Sequence, residues 1–363
     1  MYRDIEAAEL ASRLGTSSDP FLVDVREPVE FAAWSIPSAV NIPLGQLAAR
    51  MSEIPDDREV VSVCASGSRS ATAAELLSHT GRRVANLAGG MIAWAMAYDA
   101  VTLEIGGARI VQVRRRGKGC LSYLVGAGDQ AFVVDPSLDT DVYLRQADEH
   151  GWTIARVFDT HLHADHLSGA RALAEATGAS LHLNPADTFD FPYEPLGDGD
   201  GFELPGSVSF RVSVMSTPGH TRGSTVYVVA GRAVLSGDTL FVESVGRPDL
   251  ADQAEAFAHD LYRSLHDKVL ALSDDTLVLP GHYGDAVVVR PDQPVGASLG
   301  ELRETLAPLS YDEESFVSWA AARSVPRPPN YGEIVAANMG RAAAPLAALR
   351  RLELGPNRCA VSA

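Results

Sequence analysis

His161-Leu162-His163-Ala164-Asp165-His166 packs three imidazoles and a carboxylate into six residues. The apolar Val157-Phe158 precedes it and a helix-forming stretch follows. If Thr160 ends a strand, His161 and His163 project from the same side of an extended segment, and Asp165-His166 open a helix running from Leu167. Packing alone rarely collects such a set, whereas metal binding needs it. Three later stretches repeat the theme singly. Ser216-Thr217-Pro218-Gly219-His220-Thr221 places a histidine in a turn, Ser236-Gly237-Asp238-Thr239 an aspartate after the strand Ala233-Val234-Leu235, and Pro280-Gly281-His282 a histidine after Leu277-Val278-Leu279. Each donor sits just past a strand, so one sheet edge can gather them all. Seven candidate ligands are present: His161, His163, Asp165, His166, His220, Asp238 and His282. Spacing leaves one metal or two open.

Outward from this motif, the chain reads as two alternations of strand and helix. Around the motif come strands at Ile110–Val113, Leu121–Val125 and Ala131–Asp135 before it and at Arg211–Met215 and Thr225–Val229 after it, which suggest two mostly antiparallel sheets with outer helices. Toward the N-terminus, Phe21-Leu22-Val23-Asp24-Val25 and Val60-Val61-Ser62-Val63-Cys64 read as buried strands, with helices at Arg69–His79 and from Met91, a pattern of parallel sheet. The join, Tyr98 to Gly107, carries no Pro-rich or Gly/Ser-rich run, so the two parts are expected to pack together.

The N-terminal part has its own reactive group. Cys64-Ala65-Ser66-Gly67-Ser68-Arg69-Ser70 lies between a strand and a helix. Loop amides and the helix N-terminus point toward the sulfur there, and Arg69 adds a positive charge; both favour the thiolate, which attacks sulfane sulfur. The same amides can cradle a persulfide or the oxyanion of thiosulfate. A buried core thiol is the plain alternative.

This loop resembles the C-x-x-G-x-R-S loop of rhodanese domains. Asp24-Val25-Arg26-Glu27 with Glu30-Phe31, the run Ile36 to Leu44, and Leu87-Ala88-Gly89-Gly90 leading to Trp94 are similar to the same family over residues 1–100. Trp34-Ser35 departs from the family, which commonly has a Gly-His pair there. The resemblance implies a sulfurtransferase with Cys64 and Arg69 catalytic and Ala65, Ser66, Gly67 and Ser68 forming the persulfide loop.

Residues 105–290 resemble the metallo-β-lactamase superfamily, with its H-x-H-x-D-H followed by separate His, Asp and His. Within it the chain looks like the persulfide dioxygenases, through Gly119-Cys120-Leu121-Ser122-Tyr123, Gly237-Asp238-Thr239-Leu240-Phe241, Gly246-Arg247-Pro248-Asp249, Pro326-Arg327-Pro328-Pro329-Asn330-Tyr331, Ile334 and Asn338. The implied fold class is an α/β rhodanese domain, residues 1–100, followed by an αββα metallo-β-lactamase fold with a C-terminal extension, residues 105–363. The implied cofactor is one Fe(II) per chain on His161, His220 and Asp238, with His163, Asp165, His166 and His282 around it or on a second metal. The implied reaction is oxidation of a small thiol persulfide by O2 to sulfite and thiol, fed by thiosulfate through Cys64, with Arg247 as a polar substrate contact or an ion-pair partner of Asp249. A zinc thioester hydrolase like glyoxalase II uses the same ligands and is the alternative; zinc activates water but has no redox change to offer O2.

Composition bounds the rest. Over 363 residues, 46% apolar and 21% charged indicate globular domains, and a net charge of −17 argues against gripping nucleic acid or an anionic membrane. No apolar run approaches the roughly 20 residues that span a bilayer. Cys64, Cys120 and Cys359 form no disulfide framework, and no signal peptide is visible, so a reducing cytoplasm is expected. Cys120 reads as a core thiol, Cys359 as incidental, and Arg114-Arg115-Arg116 as a solvated strand end. Oligomeric state and the carrier thiol are not legible.

Overall fold

Strands apolar on both faces belong in the middle of a covered parallel sheet, and the first sheet is built that way. Its strands are β1 (Arg3–Ile5), β2 (Phe21–Asp24), β3 (Val40–Asn41), β4 (Val60–Val63) and β5 (Val84–Leu87), in the order β1-β5-β4-β2-β3. Every pairing is parallel. Helices α1 (Ala7–Arg13) and α4 (Gly90–Trp94) bring Leu10, Met91 and Trp94 to one face. On the other, α3 (Ser68–Ser78) brings Ala73, Ala74 and Leu77. The short α2 (Pro28–Ala33) follows β2 and has a capping box between Glu27 and Glu30. The computed structural model describes residues 1–204, 209–248, 253–284, 286–323, 330–342 and 346–355, the side chains of 346 and 347 excepted. Asp249, residues 326–329 of the tail motif and Cys359 lie outside the described residues.

Two further sheets form a sandwich. One contains β6 (Tyr98–Ile105), β7 (Ala108–Arg115), β8 (Cys120–Ala127), β9 (Gln130–Val134), β10 (Thr153–Phe158), β11 (Ser180–Leu183) and β12 (Glu194–Pro195), in reverse sequence order. The other runs in order from β13 (Gly201–Leu204) through β14 (Phe210–Ser216), β15 (Thr225–Val229), β16 (Ala233–Gly237) and β17 (Leu277–Pro280) to β18 (Ala297–Ser298). Their facing sides close a core of Tyr123, Phe132, Phe158, Val212, Tyr227, Leu235 and Leu279. Outside, α5 (Asp141–His150) and α6 (Ala170–Thr177) cover the first of these sheets. Helices α7 (Ala254–Arg263), α8 (Leu299–Thr305) and α9 (Glu313–Ala321) cover the second. The result is the four-layer αββα arrangement.

Three local readings change. The join is a strand: β6 pairs antiparallel with β7 from Tyr98↔Arg115 to Ile105↔Ala108, so the connection is part of the second body's sheet. The segment after the histidine motif stays irregular until α6 begins at Ala170, not Leu167, because side chains from elsewhere hold its backbone. Arg114 and Arg115 are buried and Arg116 is half-buried, not solvated. Arg114 and Arg116 both pair with Asp99, at 2.6 and 2.8 Å, and Arg115 pairs with Glu353 at 2.9 Å. Trp34, the departure from the rhodanese pattern, donates its indole N–H to the Gly117 carbonyl at 3.1 Å, across to the second body. Among the described residues no helix is long and apolar enough to cross a membrane.

Candidate metal centre and thiol loop

The seven ligand candidates read from the sequence all follow strand C-termini. The loop 159–168 leaves β10, His220 follows β14, Asp238 follows β16 directly, and His282 follows β17. Burial is nearly complete at each. The backbone there is packed tightly: a Cβ on Gly246 would lie 1.9 Å from the Asp238 carbonyl, so only glycine lets that segment fold back over the site.

The donors separate into three groups of converging atoms: His161, His220 and Asp238; Asp165, His166, His282 and Cys120; and His163 with Asp135 and Asp159. In the first group, Asp238 Oδ2 lies 3.8 Å from His161 Nε2 and 3.5 Å from His220 Nε2. All three atoms are buried without a hydrogen-bond partner. Orphaned buried polar atoms are costly, and three facing one another fit a cation between them. The opposite ring nitrogens are held from behind. Thr160 Oγ1 sits 2.9 Å from His161 Nδ1 and is itself bound to Asp135, and His220 Nδ1 donates to the Arg247 carbonyl at 3.0 Å. Such outer contacts fix the ring orientation of a ligating histidine. Burial, then the neighbouring His163 and His220, press the His161 imidazole well below its ordinary pKa; burial also lowers that of His220, leaving both in the neutral form that binds metals.

In the second group, His282 Nδ1 lies 2.6 Å from Asp238 Oδ1, while its Nε2 lies 2.9 Å from Asp165 Oδ2 without hydrogen-bond alignment. Burial opposes a charge on His282, but Asp238 and Asp165 outweigh it and hold the ring protonated well above the usual range. Cys120, buried at the start of β8 as a core thiol would be, nonetheless turns its sulfur toward this group. Sequence reading missed that because a strand-end cysteine looks the same in either role. His163 packs its ring against His161, with centroids 4.2 Å apart, but commits its Nε2 to Asp135 at 3.2 Å, so that atom belongs to the third group. Asp135 was not singled out either; its only local signal is a position immediately after a buried strand. Arg247 is buried, with its side chain engaged among neighbours.

Cys64 follows β4 directly. Its sulfur accepts from the Gly67 amide and the Ser70 hydroxyl, both at 3.2 Å. Burial pushes the thiol up, but the Ser70 hydroxyl and the amides of Ser70, Ser66 and Gly67 outweigh it and hold the thiol below its ordinary pKa. Gly90 closes the back of the loop at φ +57°, where a Cβ would sit 2.2 Å from the Cys64 carbonyl. Arg69 forms a bidentate pair with Glu30, at 2.7 and 2.8 Å, so its charge is shared with that carboxylate instead of being spent on the sulfur alone. The hydroxyl of Ser70, the last residue of the motif and given no role above, makes the direct contact. Ser70→Ala should therefore raise the Cys64 pKa. Because the thiolate is the nucleophile, the rising limb of the sulfur-transfer pH–rate profile should move to higher pH; an unshifted limb would show that Ser70 does not tune the thiol.

Comparison with known proteins follows the same division. The Rhodanese-like domain model matches residues 6–97 and the Metallo-beta-lactamase superfamily model residues 115–282. A sulfurtransferase of Allochromatium vinosum is 47% identical over 96 residues, 26% of this chain and 90% of that protein. A hydroxyacylglutathione hydrolase of Methylobacillus flagellatus is 34% identical over 160 residues, 44% of this chain and 60% of that protein. The mitochondrial persulfide dioxygenase ETHE1 of Bos taurus is 29% identical over 233 residues, 61% of this chain and 84% of that protein. The crystal structure of ETHE1 from Myxococcus xanthus superposes with a TM-score of 0.54 at 27% identity, covering 67% of this chain and 100% of that one. With its αββα sandwich, its buried donor clusters and a parallel-sheet thiol domain ahead of them, the chain joins a rhodanese-like domain to a domain of the metallo-beta-lactamase superfamily.

Proposed function

We propose that the chain oxidises a low-molecular-weight thiol persulfide with O2 and one water to sulfite and free thiol, using one Fe(II), and that Cys64 supplies the sulfane sulfur. The carrying observation is the trio of orphaned atoms His161 Nε2, His220 Nε2 and Asp238 Oδ2. Two imidazoles and one carboxylate on one side suit ferrous iron that keeps open positions. Bound there, iron would supply the redox change that oxygen chemistry requires. The chain's own residues do the remainder. Thr160 and the Arg247 carbonyl orient the two rings, His282 hydrogen-bonds Asp238 and holds its second oxygen away from the trio, and the surrounding burial excludes bulk water. Similarity to ETHE1 in sequence and in structure supports this reading.

In the rhodanese-like domain, the Cys64 thiolate attacks the outer sulfur of thiosulfate. The S–S bond breaks, sulfite departs with the bonding pair, and Cys64 carries a persulfide cradled by the Gly67 amide and the Ser70 hydroxyl. A small thiolate then attacks the terminal sulfur, releasing the Cys64 thiolate and a small-thiol persulfide. This reading places the enzyme in a reducing cytoplasm, where such thiols are abundant.

The second group, Cys120, Asp165, His166 and His282, together with the likeness to a hydroxyacylglutathione hydrolase, favours one rival: a zinc thioester hydrolase. Anaerobically purified protein should carry close to one iron per chain and consume oxygen only when given a persulfide. Full activity with zinc on a thioester, and silence with persulfide on an oxygen electrode, would sink the proposal.

A further inference from the structure

The segment around the histidine motif has no regular structure of its own, so its shape depends on what holds its backbone. Two side chains from the C-terminal part do so. Asn338, at the end of α10 (Tyr331–Asn338), donates to the carbonyls of His163 and His166, at 2.9 and 2.8 Å, and accepts from the Ser168 amide at 3.0 Å. Glu353, just past α11 (Leu346–Leu352), is fully buried, and its Oε1 accepts from the Leu167 amide at 2.9 Å. The same oxygen accepts from Arg115 Nη1 at 2.9 Å. Arg115 in turn donates from Nε to the Ala95 carbonyl, at 2.7 Å, and reaches Met96 Sδ at 3.1 Å, both at the end of the rhodanese-like domain. Lys118 Nζ donates to the Glu353 carbonyl at 3.1 Å.

From these contacts we infer that Glu353 is a positioning residue for the metal centre, acting through Leu167 on the neighbouring Asp165–His166 pair. Asp165 lies against His282, and His282 against Asp238, so the Leu167 amide is the outer end of a short chain leading to the carboxylate of the trio. The Arg115 guanidinium joins that chain to the first domain, which makes the buried ion pair one of the contacts that join the two bodies. The inference rests on the metal-site reading given above. No local sequence signal announces it, since Glu353 is remote in sequence from both partners.

Structural and positioning effects of this pair can be separated. Removing one partner of a buried ion pair strands the other charge and destabilises the fold, while replacing both with apolar groups is often neutral. The full-length apoprotein should be titrated with Fe(II) or Co(II) against a competing chelator, with Tm measured in parallel. Arg115→Met should lower Tm but keep the wild-type metal affinity, because Glu353 still holds the Leu167 amide. Glu353→Gln should also keep it, because an amide oxygen accepts the same bond. Arg115→Met/Glu353→Leu should melt above Arg115→Met, because no charge is stranded, yet bind metal about 10–100-fold more weakly, as loss of outer contacts typically does. Wild-type affinity in that double variant, or affinity that simply tracks Tm through the set, would overturn the inference. Wild-type protein that shows this pattern but takes up no oxygen with a persulfide would overturn the dioxygenase proposal and leave Glu353 in place.

Discussion

Alanine at His161, His220 or Asp238 is expected to empty the metal site and abolish oxygen uptake, whereas His282→Ala should retain much of the metal and lose turnover by about 10–100-fold. The difference comes from where each atom points. His161 Nε2, His220 Nε2 and Asp238 Oδ2 face one another without other partners, so removing any one takes a third of the donor set. His282 spends its Nδ1 on Asp238 Oδ1 and lies between two carboxylates that keep it protonated, which suits a hydrogen-bond donor better than a ligand. Removing it frees Asp238 to rotate without deleting a donor of the trio. Metal content per chain and oxygen uptake with a persulfide, measured on the same four variants, decide the matter. Loss of one of two tightly held metals in His282→Ala would establish a binuclear site built on Cys120, Asp165, His166 and His282.

Cys64→Ser is expected to abolish sulfur transfer from thiosulfate to a small thiol while leaving iron content unchanged. The hydroxyl nearly preserves volume but stays protonated at neutral pH, and the Gly67 amide and Ser70 hydroxyl are left with no thiolate to stabilise. Oxygen uptake with preformed persulfide should continue, and uptake from thiosulfate plus thiol should stop. If thiosulfate plus thiol drives oxygen uptake equally in the variant and the wild type, Cys64 does not feed the metal centre, and the rhodanese-like domain serves another substrate or only as a scaffold.

Much of this molecule is legible in short stretches of its chain, for a physical reason. A strand–loop–helix such as Val60 to Ser78 is specified by neighbours: buried β-branched residues, then a glycine at φ +94°, then helix formers, so the sulfur and the amides that face it arrive together. The histidine motif and the isolated His220, Asp238 and His282 are legible in the same way, each placed just past an apolar strand. The sequence by itself thus determined the two folds, their order and the pool of donors. Only the tertiary structure decided how the donors divide, because that depends on which strand ends become neighbours. It sent His163 to Asp135 and Asp159 and left His161 with His220 and Asp238, brought Cys120 against Asp165, and buried Arg114 and Arg115, which read as solvated. Burial costs a charge its hydration unless a partner compensates, and the partners of Arg114 and Arg115 include Asp99 and Glu353. Asp99 faces Arg114 across the β6–β7 ladder and Glu353 reaches Arg115 from the far end of the chain, pairings that residue pattern cannot report because they exist only once the sheets have closed.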